Sequence, residues 1–221
     1  MAEKLRIGVL ASGGGTNLQS IIDGCQAGNI NAEIVTVISN NPSSGALKRA
    51  ANAGVMSQCI DHRSFKKRDD FDSEVVSALK ESNVQLVVLA GFMRIIGQRF
   101  LDAFPSRIMN IHPALLPSFP GLHVQQKALD YGARFTGCTV HFVDGGVDTG
   151  PIIAQAVVPV LDNDTDESLS ARILVQEHKI YPQAIEWFAQ GALSIVGRKV
   201  VVSTQSQDPT QELINPPVDN H

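Results

Sequence analysis

Between Leu5 and His112, short apolar β-branched runs alternate with segments of helical periodicity, and that alternation limits the fold more than any other feature. The runs LRIGVLA, EIVTVIS, SQCID, VQLVVLAGF and RIMNIH read as strands. Between them lie helical segments: one from about Asn17 to Cys25, GALKRAANAG closed by Gly54, RDDFDSEVVSALKES and QRFLDAF. In the third of these, Phe71, Val75, Val76 and Leu79 recur at helical spacing. Strict β/α alternation implies a parallel sheet with right-handed crossovers. VQLVVLAGF, the most apolar run, belongs at its centre, where both faces are covered.

The pattern changes after the proline-rich stretch HPALLPSFPG. VQQKALDYG reads as a helix, and then FTGCTVHFV and GPIIAQAVVPV bracket DGGVDT with no helix between them, which predicts an antiparallel pair. A long helix follows over DTDESLSARILVQEHKIYPQAIEWFAQG, with Asp164 or Thr165 as N-cap. Pro182 is expected to kink or divide it. LSIVGRKVVV closes as a hairpin. There is no internal repeat and no interdomain linker. The expectation is a single-domain, doubly wound α/β fold over residues 1–202. It has a mostly parallel sheet, a Rossmann-like N-terminal half and an antiparallel C-terminal hairpin, followed by a loosely ordered polar tail over 203–221.

Bulk properties exclude several classes. Apolar residues make up 43% and charged residues 18%, which is globular rather than disordered composition. With a net charge of −4 there is no basic footprint for nucleic acid. The one basic cluster, from Arg63 to Arg68, runs directly into Asp69 and Asp70 and reads as a solvated helix start. No run reaches the ~18 apolar residues of a membrane span, and the N-terminus lacks a signal-peptide core. Cys25, Cys59 and Cys138 are odd in number and widely spaced, so they read as small buried apolar residues of a cytoplasmic protein. Its partners are then small molecules, and both monomer and homodimer stay open.

ASGGGTN joins the first strand to the first helix, where α/β sheets bind ligands and helix N-termini attract phosphate. Gly13 and Gly15 fit G-x-G, but the third position of a dinucleotide fingerprint is Leu18, and the second strand ends Ser39, Asn40, Asn41 without an acid. There is no G-K-[ST] either. A single phosphate monoester, held by Gly15 and donors from Thr16 and Asn17, fits better than a dinucleotide or ATP; a plain strand-to-helix turn is the alternative.

Asn110 and His112 stand two apart at a strand end, and Asp148 lies in the loop after TVHFV. A carboxylate beside an imidazole favours the imidazolium form. An imidazolium and an amide together donate to an oxyanion forming on a carbonyl. Each residue also has a plain reading, as a core histidine or as turn chemistry. Among His62, His123, His141 and His178 there is no H-E-x-x-H pattern, and no G-x-S-x-G marks a serine nucleophile, so neither a metal nor a nucleophilic serine is expected.

GGGTNLQSII, VVLAGFMRII, NIHPALLPSFPGLH, GCTVHFVDGGVDTGPII and QEHKIYP, taken in order from Leu5 to Val202, resemble the glycinamide ribonucleotide formyltransferases, a folate-dependent family of purine synthesis. The resemblance implies transfer of the formyl group of 10-formyltetrahydrofolate, as co-substrate, to the substrate amine by direct attack and without a metal. It makes Asn110, His112 and Asp148 the catalytic trio, and Gly15, Thr16 and Asn17 the ribose-phosphate binder. Leu174, Val175, Gln176 and Glu177 wall the ribose. Met93, Arg94, Ile95 and Ile96, with Asn110 and the loop of Asp144, Gly145, Gly146, Val147 and Asp148, hold the formyl-folate, and Arg68 meets its tail. Without the resemblance, Met93, Ile95 and Ile96 read as core. Three rival readings remain. A formyltetrahydrofolate hydrolase is expected to need an N-terminal domain ahead of Leu5, and a methionyl-tRNA formyltransferase an RNA-binding domain after Val202. The third is a non-catalytic nucleotide sensor.

Overall fold

The computed structural model describes residues 3–203 and the backbone of Ile214 and Asn215. The chain gathers into two compact units, Met1–Asn110 and Ile111–His221. The fold is α/β, parallel in the first unit and largely antiparallel in the second.

In the first unit the chain runs β1 (Leu5–Ala11), α1 (Thr16–Ala27), β2 (Ala32–Ser39), α2 (Gly45–Asn52), β3 (Ser57–Cys59), a 3-10 turn at His62–Ser64, α3 (Arg68–Glu81), β4 (Leu86–Leu89), α4 (Gln98–Ala103) and the start of β5 (Ile108–His112). Strand order is β3-β2-β1-β4-β5, and every pairing is parallel, as the alternation predicts. The register sets Leu10 beside Leu89 and Leu89 beside Asn110. The carboxyl ends of β1 and β4 therefore lie level, and the segments that leave them share one sheet edge.

Packing follows the apolar periods. β4 is buried throughout, and Ile7, Val9 and Leu10 of β1 are fully enclosed. Helix α3 buries Phe71, Val75, Val76 and Leu79, the face read from the sequence. Each such side chain contributes roughly 1.5–3 kcal/mol on burial. Gly8 of β1 makes the close approach possible: a Cβ there would lie 2.6 Å from Leu79 Cδ2 and 2.8 Å from Val84. Gly54, expected to close α2, follows its C-cap Ala53 with φ of 70°.

The second unit contains α5 (Val124–Tyr131), β6 (Phe135–Phe142), β7 (Ile152–Pro159), α6 (Asp166–Ala189), β8 (Leu193–Val196), β9 (Lys199–Val202) and β10 (Ile214–Asn215). β6 and β7 are antiparallel, with a register shift between Val140 and His141, and β8 and β9 form the expected hairpin. Helix α6 is capped by Thr165, whose side chain accepts from Ser168 N while Ser168 answers to the Thr165 backbone. Pro182 does not divide it: α6 is one element of 24 residues. Proline removes one N–H and strains the turn before it, but Ile180, Tyr181, Ala184 and Ile185 on either side are all fully buried and hold the turn in place.

The cysteines correct the sequence reading. Only Cys138 is buried; Cys25 is half-buried, and Cys59 is exposed at the end of the short edge strand β3. Of the segment expected as a loose tail, Ser203 is a turn and Ile214 and Asn215 pair antiparallel with Ala156 and Gln155. The remainder lies outside the described residues. Among the described residues no helix is long and apolar enough to cross a membrane, and no group of three or more His, Cys, Asp or Glu side chains is placed to hold a metal ion.

Candidate active site

The glycine loop turns directly from β1 into α1. Gly15 is the N-cap of α1 in the left-handed conformation, φ 76°; no side chain caps the helix, and its first turn holds no acid. An uncapped helix start without a competing carboxylate suits an anion. The loop is braced from behind by α2. Ser44 Oγ donates to Gly13 O at 2.7 Å, Ala46 N to the same oxygen at 3.2 Å, and Arg49 Nε to Gly14 O at 2.9 Å. With two carbonyls bound backwards, Gly13 and Gly14 lie exposed while Asn17 is buried.

After β4 the chain leaves the same edge through Gly91 into the segment 92–97. Ser12 joins this segment to the glycine loop: its hydroxyl donates to Asn40 Oδ1 at 2.6 Å and accepts from Met93 N at 2.8 Å. Met93 is 66% and Ile95 60% exposed, whereas Ile96 is 9%. The core reading therefore holds for Ile96 alone. Two apolar side chains turned to solvent from a loop with a tied backbone suit a flat, partly apolar ligand. Arg68 is exposed but tethered: its Nη2 donates to Ile95 O at 2.7 Å.

Asn110 and His112 lie two apart on β5 and so point to the same side of the strand. His112 is buried, and Asn110 is half-buried. His112 Nδ1 is 3.4 Å from Asp148 Oδ2, and its Nε2 lies 2.9 Å from Phe119 O. Both ring nitrogens thus face oxygen atoms. Asp148 has φ of 54°, and its Oδ2 also accepts from Gly121 N at 2.9 Å. The loop ahead of it is pinned by Asp144, whose Oδ1 accepts from Gly146 N at 3.1 Å and from the Thr149 hydroxyl at 2.5 Å. On α6, Glu177 is buried, Leu174 and Gln176 are half-buried, and Val175 is exposed. Burial pushes the Cys138 thiol up, and the charge of Glu177 adds to the effect, which places Glu177 near β6.

The sequence reading missed two groups around the trio. His141, read only as a histidine without a metal motif, approaches Asp148 Oδ1 with Nε2 at 3.8 Å. A register shift lies directly beside it, between Val140 and His141, and such irregularities are common next to sites. The signal was a histidine near the end of a strand that leads into an acidic loop. The second group fastens the proline-rich turn. Thr139 Oγ1 donates to Ala114 O at 2.7 Å and accepts from Leu116 N at 3.0 Å, while Gln155 Nε2 donates to Leu116 O at 2.9 Å. These partners are more than fifteen residues apart in the chain, and no local pattern connects them.

Residues 5–185 match the family model described as formyl transferase. The chain is 42% identical to the phosphoribosylglycinamide formyltransferase of Escherichia coli over 86% of its own length and 90% of that protein. It is 47% identical to the trifunctional purine biosynthetic protein adenosine-3 of Drosophila melanogaster, of whose length it spans only 14%. A crystal structure of glycinamide ribonucleotide transformylase 1 from Symbiobacterium toebii superposes with a TM-score of 0.90 at 51% identity, covering 91% of this chain and 95% of that one. The chain belongs to the formyl transferase family.

Proposed function

We propose that this protein transfers the formyl group of 10-formyltetrahydrofolate to the amine of glycinamide ribonucleotide in purine biosynthesis. The observation that carries the reading is the contact of His112 Nδ1 with Asp148 Oδ2 at 3.4 Å, on the strand that also bears Asn110 two residues earlier. An imidazole oriented by a half-buried carboxylate, beside an amide, is the donor set that an acyl transfer needs at its developing oxyanion.

In this reading the loop Gly15, Thr16 and Asn17 holds the substrate phosphate, with α1 directing its positive end at the charge. Leu174, Val175, Gln176 and Glu177 bound the ribose. Met93, Arg94, Ile95 and Ile96, together with Asp144, Gly145, Gly146, Val147 and Asp148, receive the folate, and Arg68 serves its tail. The exposed apolar side chains of Met93 and Ile95 fit that use. When bound, the folate supplies a one-carbon unit at the formyl level. The chain supplies hydrogen bonds from Asn110 and His112, and Asp148 fixes the ring that gives the second of them. Attack by the amine is direct, and no side chain serves as a covalent nucleophile. The enzyme works on small molecules in the cytoplasm, as a monomer or a homodimer.

One assay decides the reading. The chain is mixed with 10-formyltetrahydrofolate, with and without glycinamide ribonucleotide, and both the deformylated folate and the formylated amine are followed. Transfer that requires the amine supports the proposal. Deformylation at equal rate without it makes the chain a hydrolase, and no turnover with retained nucleotide binding makes it a sensor.

A further inference from the structure

The segment after Gly91 is tied at its backbone from two directions. Ser12 accepts from Met93 N at 2.8 Å, and Arg68 donates to Ile95 O at 2.7 Å. The Arg94 guanidinium lies over the Phe71 ring, 5.1 Å from its centroid. Arg68 and Phe71 belong to the first turn of α3, and the next residue, Asp72, is the unexpected member of the group. It is 3% exposed, on the helix face that buries Phe71, Val75 and Val76. A carboxylate enclosed among apolar side chains is costly unless charges or donors compensate it. Burial pushes the Asp72 carboxyl up, and the charges of Arg68 and Arg94 draw it back down.

Two contacts show what the carboxylate touches. Arg68 Nε is 3.6 Å from Asp72 Oδ2, an i,i+4 pair on α3. On its other side the same oxygen meets Gly97, where an added Cβ would lie 2.3 Å away. Gly97 has φ of −88°, a conformation open to any residue, so the need for glycine there is contact with Asp72 alone. The Arg68 charge and the Gly97 backbone both favour the ionised carboxyl, which ties Asp72 to the arginine and to the closely packed backbone.

We propose that Asp72 is a positioning residue for the formyl-folate, acting through Arg68 and Gly97. It holds the Arg68 guanidinium on the line from α3 to the Ile95 carbonyl, and it sets how closely the segment packs on α3 at Gly97. Met93 and Ile95 are thereby presented from a backbone that does not need the ligand to order it. Arg68 then has two tasks, with one nitrogen on the Ile95 carbonyl and its outer face left for the folate tail. The inference rests on the reading of Met93–Ile96 as folate-binding residues.

The test is steady-state kinetics on the full chain, with each substrate varied while the other is saturating. Asp72→Asn is expected to raise KM for 10-formyltetrahydrofolate by about ten-fold, the scale of one charge-assisted interaction. Its kcat and its KM for glycinamide ribonucleotide stay within two-fold, a split that general loosening of the unit would not give. Gly97→Ala, which drives a methyl group into the same oxygen, reproduces the split and decides the matter if Asp72→Asn fails to fold. A wild-type chain that transfers no formyl group removes the functional reading and this inference with it. Transfer by the wild type, with folate KM unchanged in both variants or with both KM values raised equally, overturns the inference alone.

Discussion

His141 Nε2 lies 3.8 Å from Asp148 Oδ1, while His112 Nδ1 lies 3.4 Å from the other oxygen of the same carboxylate. One half-buried acid therefore serves two imidazoles that differ in their remaining contacts. His112 has its far nitrogen on Phe119 O, and His141 has Nδ1 on Phe142 O at 2.8 Å. Both rings are anchored to the main chain at one end and meet at Asp148.

Removing the charge of Asp148 should therefore act on rate more than on binding. Asp148→Asn keeps the shape and can still accept from Gly121 N, but it no longer sets a carboxylate against the His112 ring. Oriented acid–base groups contribute about 10²-fold or more, so kcat should fall by at least that factor while KM for glycinamide ribonucleotide changes little. A kcat within a few-fold of wild type would remove Asp148 from the chemistry.

His141 makes stability depend on pH. Burial is the main cause that lowers its pKa below the ordinary 6.5, against smaller opposing effects of the Phe142 carbonyl, Asp148 and Asp144, with His112 adding to the lowering. The unfolded chain takes up a proton that the folded one refuses, so this contribution is complete above pH 6.5 and declines as the pH falls below it. Urea unfolding at pH 7.5 and 5.5 should show a smaller loss for His141→Gln than for wild type. Equal losses would assign the acid sensitivity to other groups.

Gly15 and Gly28 have nearly the same φ, 76° and 79°, in different surroundings. A Cβ at Gly15 would lie 2.7 Å from Ala46 Cα, whereas at Gly28 it would meet nothing within 4 Å. Gly28→Ala should cost only backbone strain, about 1–2 kcal/mol. Gly15→Ala adds displacement of α2 from the loop. It should lower Tm further and also raise KM for the phosphate-bearing substrate, which Gly28→Ala leaves alone. Equal melting curves for the two variants would show that the loop yields at Ala46.

The parallel half of the fold was legible because its evidence is local. Apolar runs such as Leu86–Leu89 and helical stripes such as Phe71 to Leu79 state their period within a few residues. His112 and Asp148 were legible only as a coincidence of residue types at segment ends, which recognition of the family made specific. His141 was not, because a histidine in FTGCTVHFV has the spacing of a core residue. Asp72 was hidden in the same way: its place on α3 is apolar by period, and its contact with Gly97 comes from a segment more than twenty residues later. Pro182 does not divide α6, because tertiary packing fixes both of its flanks.

Thr139 gives the last prediction, and it concerns the stretch NIHPALLPSFPG. The Thr139 side chain is fully buried, and its hydroxyl is shared by Ala114 O, Leu116 N and Gln155 Nε2 at 2.7, 3.0 and 3.0 Å. This hydroxyl fastens the turn whose Phe119 carbonyl lies against His112. Thr139→Val keeps the branched shape but leaves buried polar groups without a partner, at a cost of about 1–3 kcal/mol for each. It should lower the unfolding midpoint and, by loosening the Phe119 carbonyl, also reduce kcat. Thr139→Ser retains the hydroxyl and should recover kcat even where the lost methyl group keeps stability below wild type. If Thr139→Val were destabilised but kept full kcat, the turn would hold His112 without this clamp, and the proline-rich run would be rigid enough by itself.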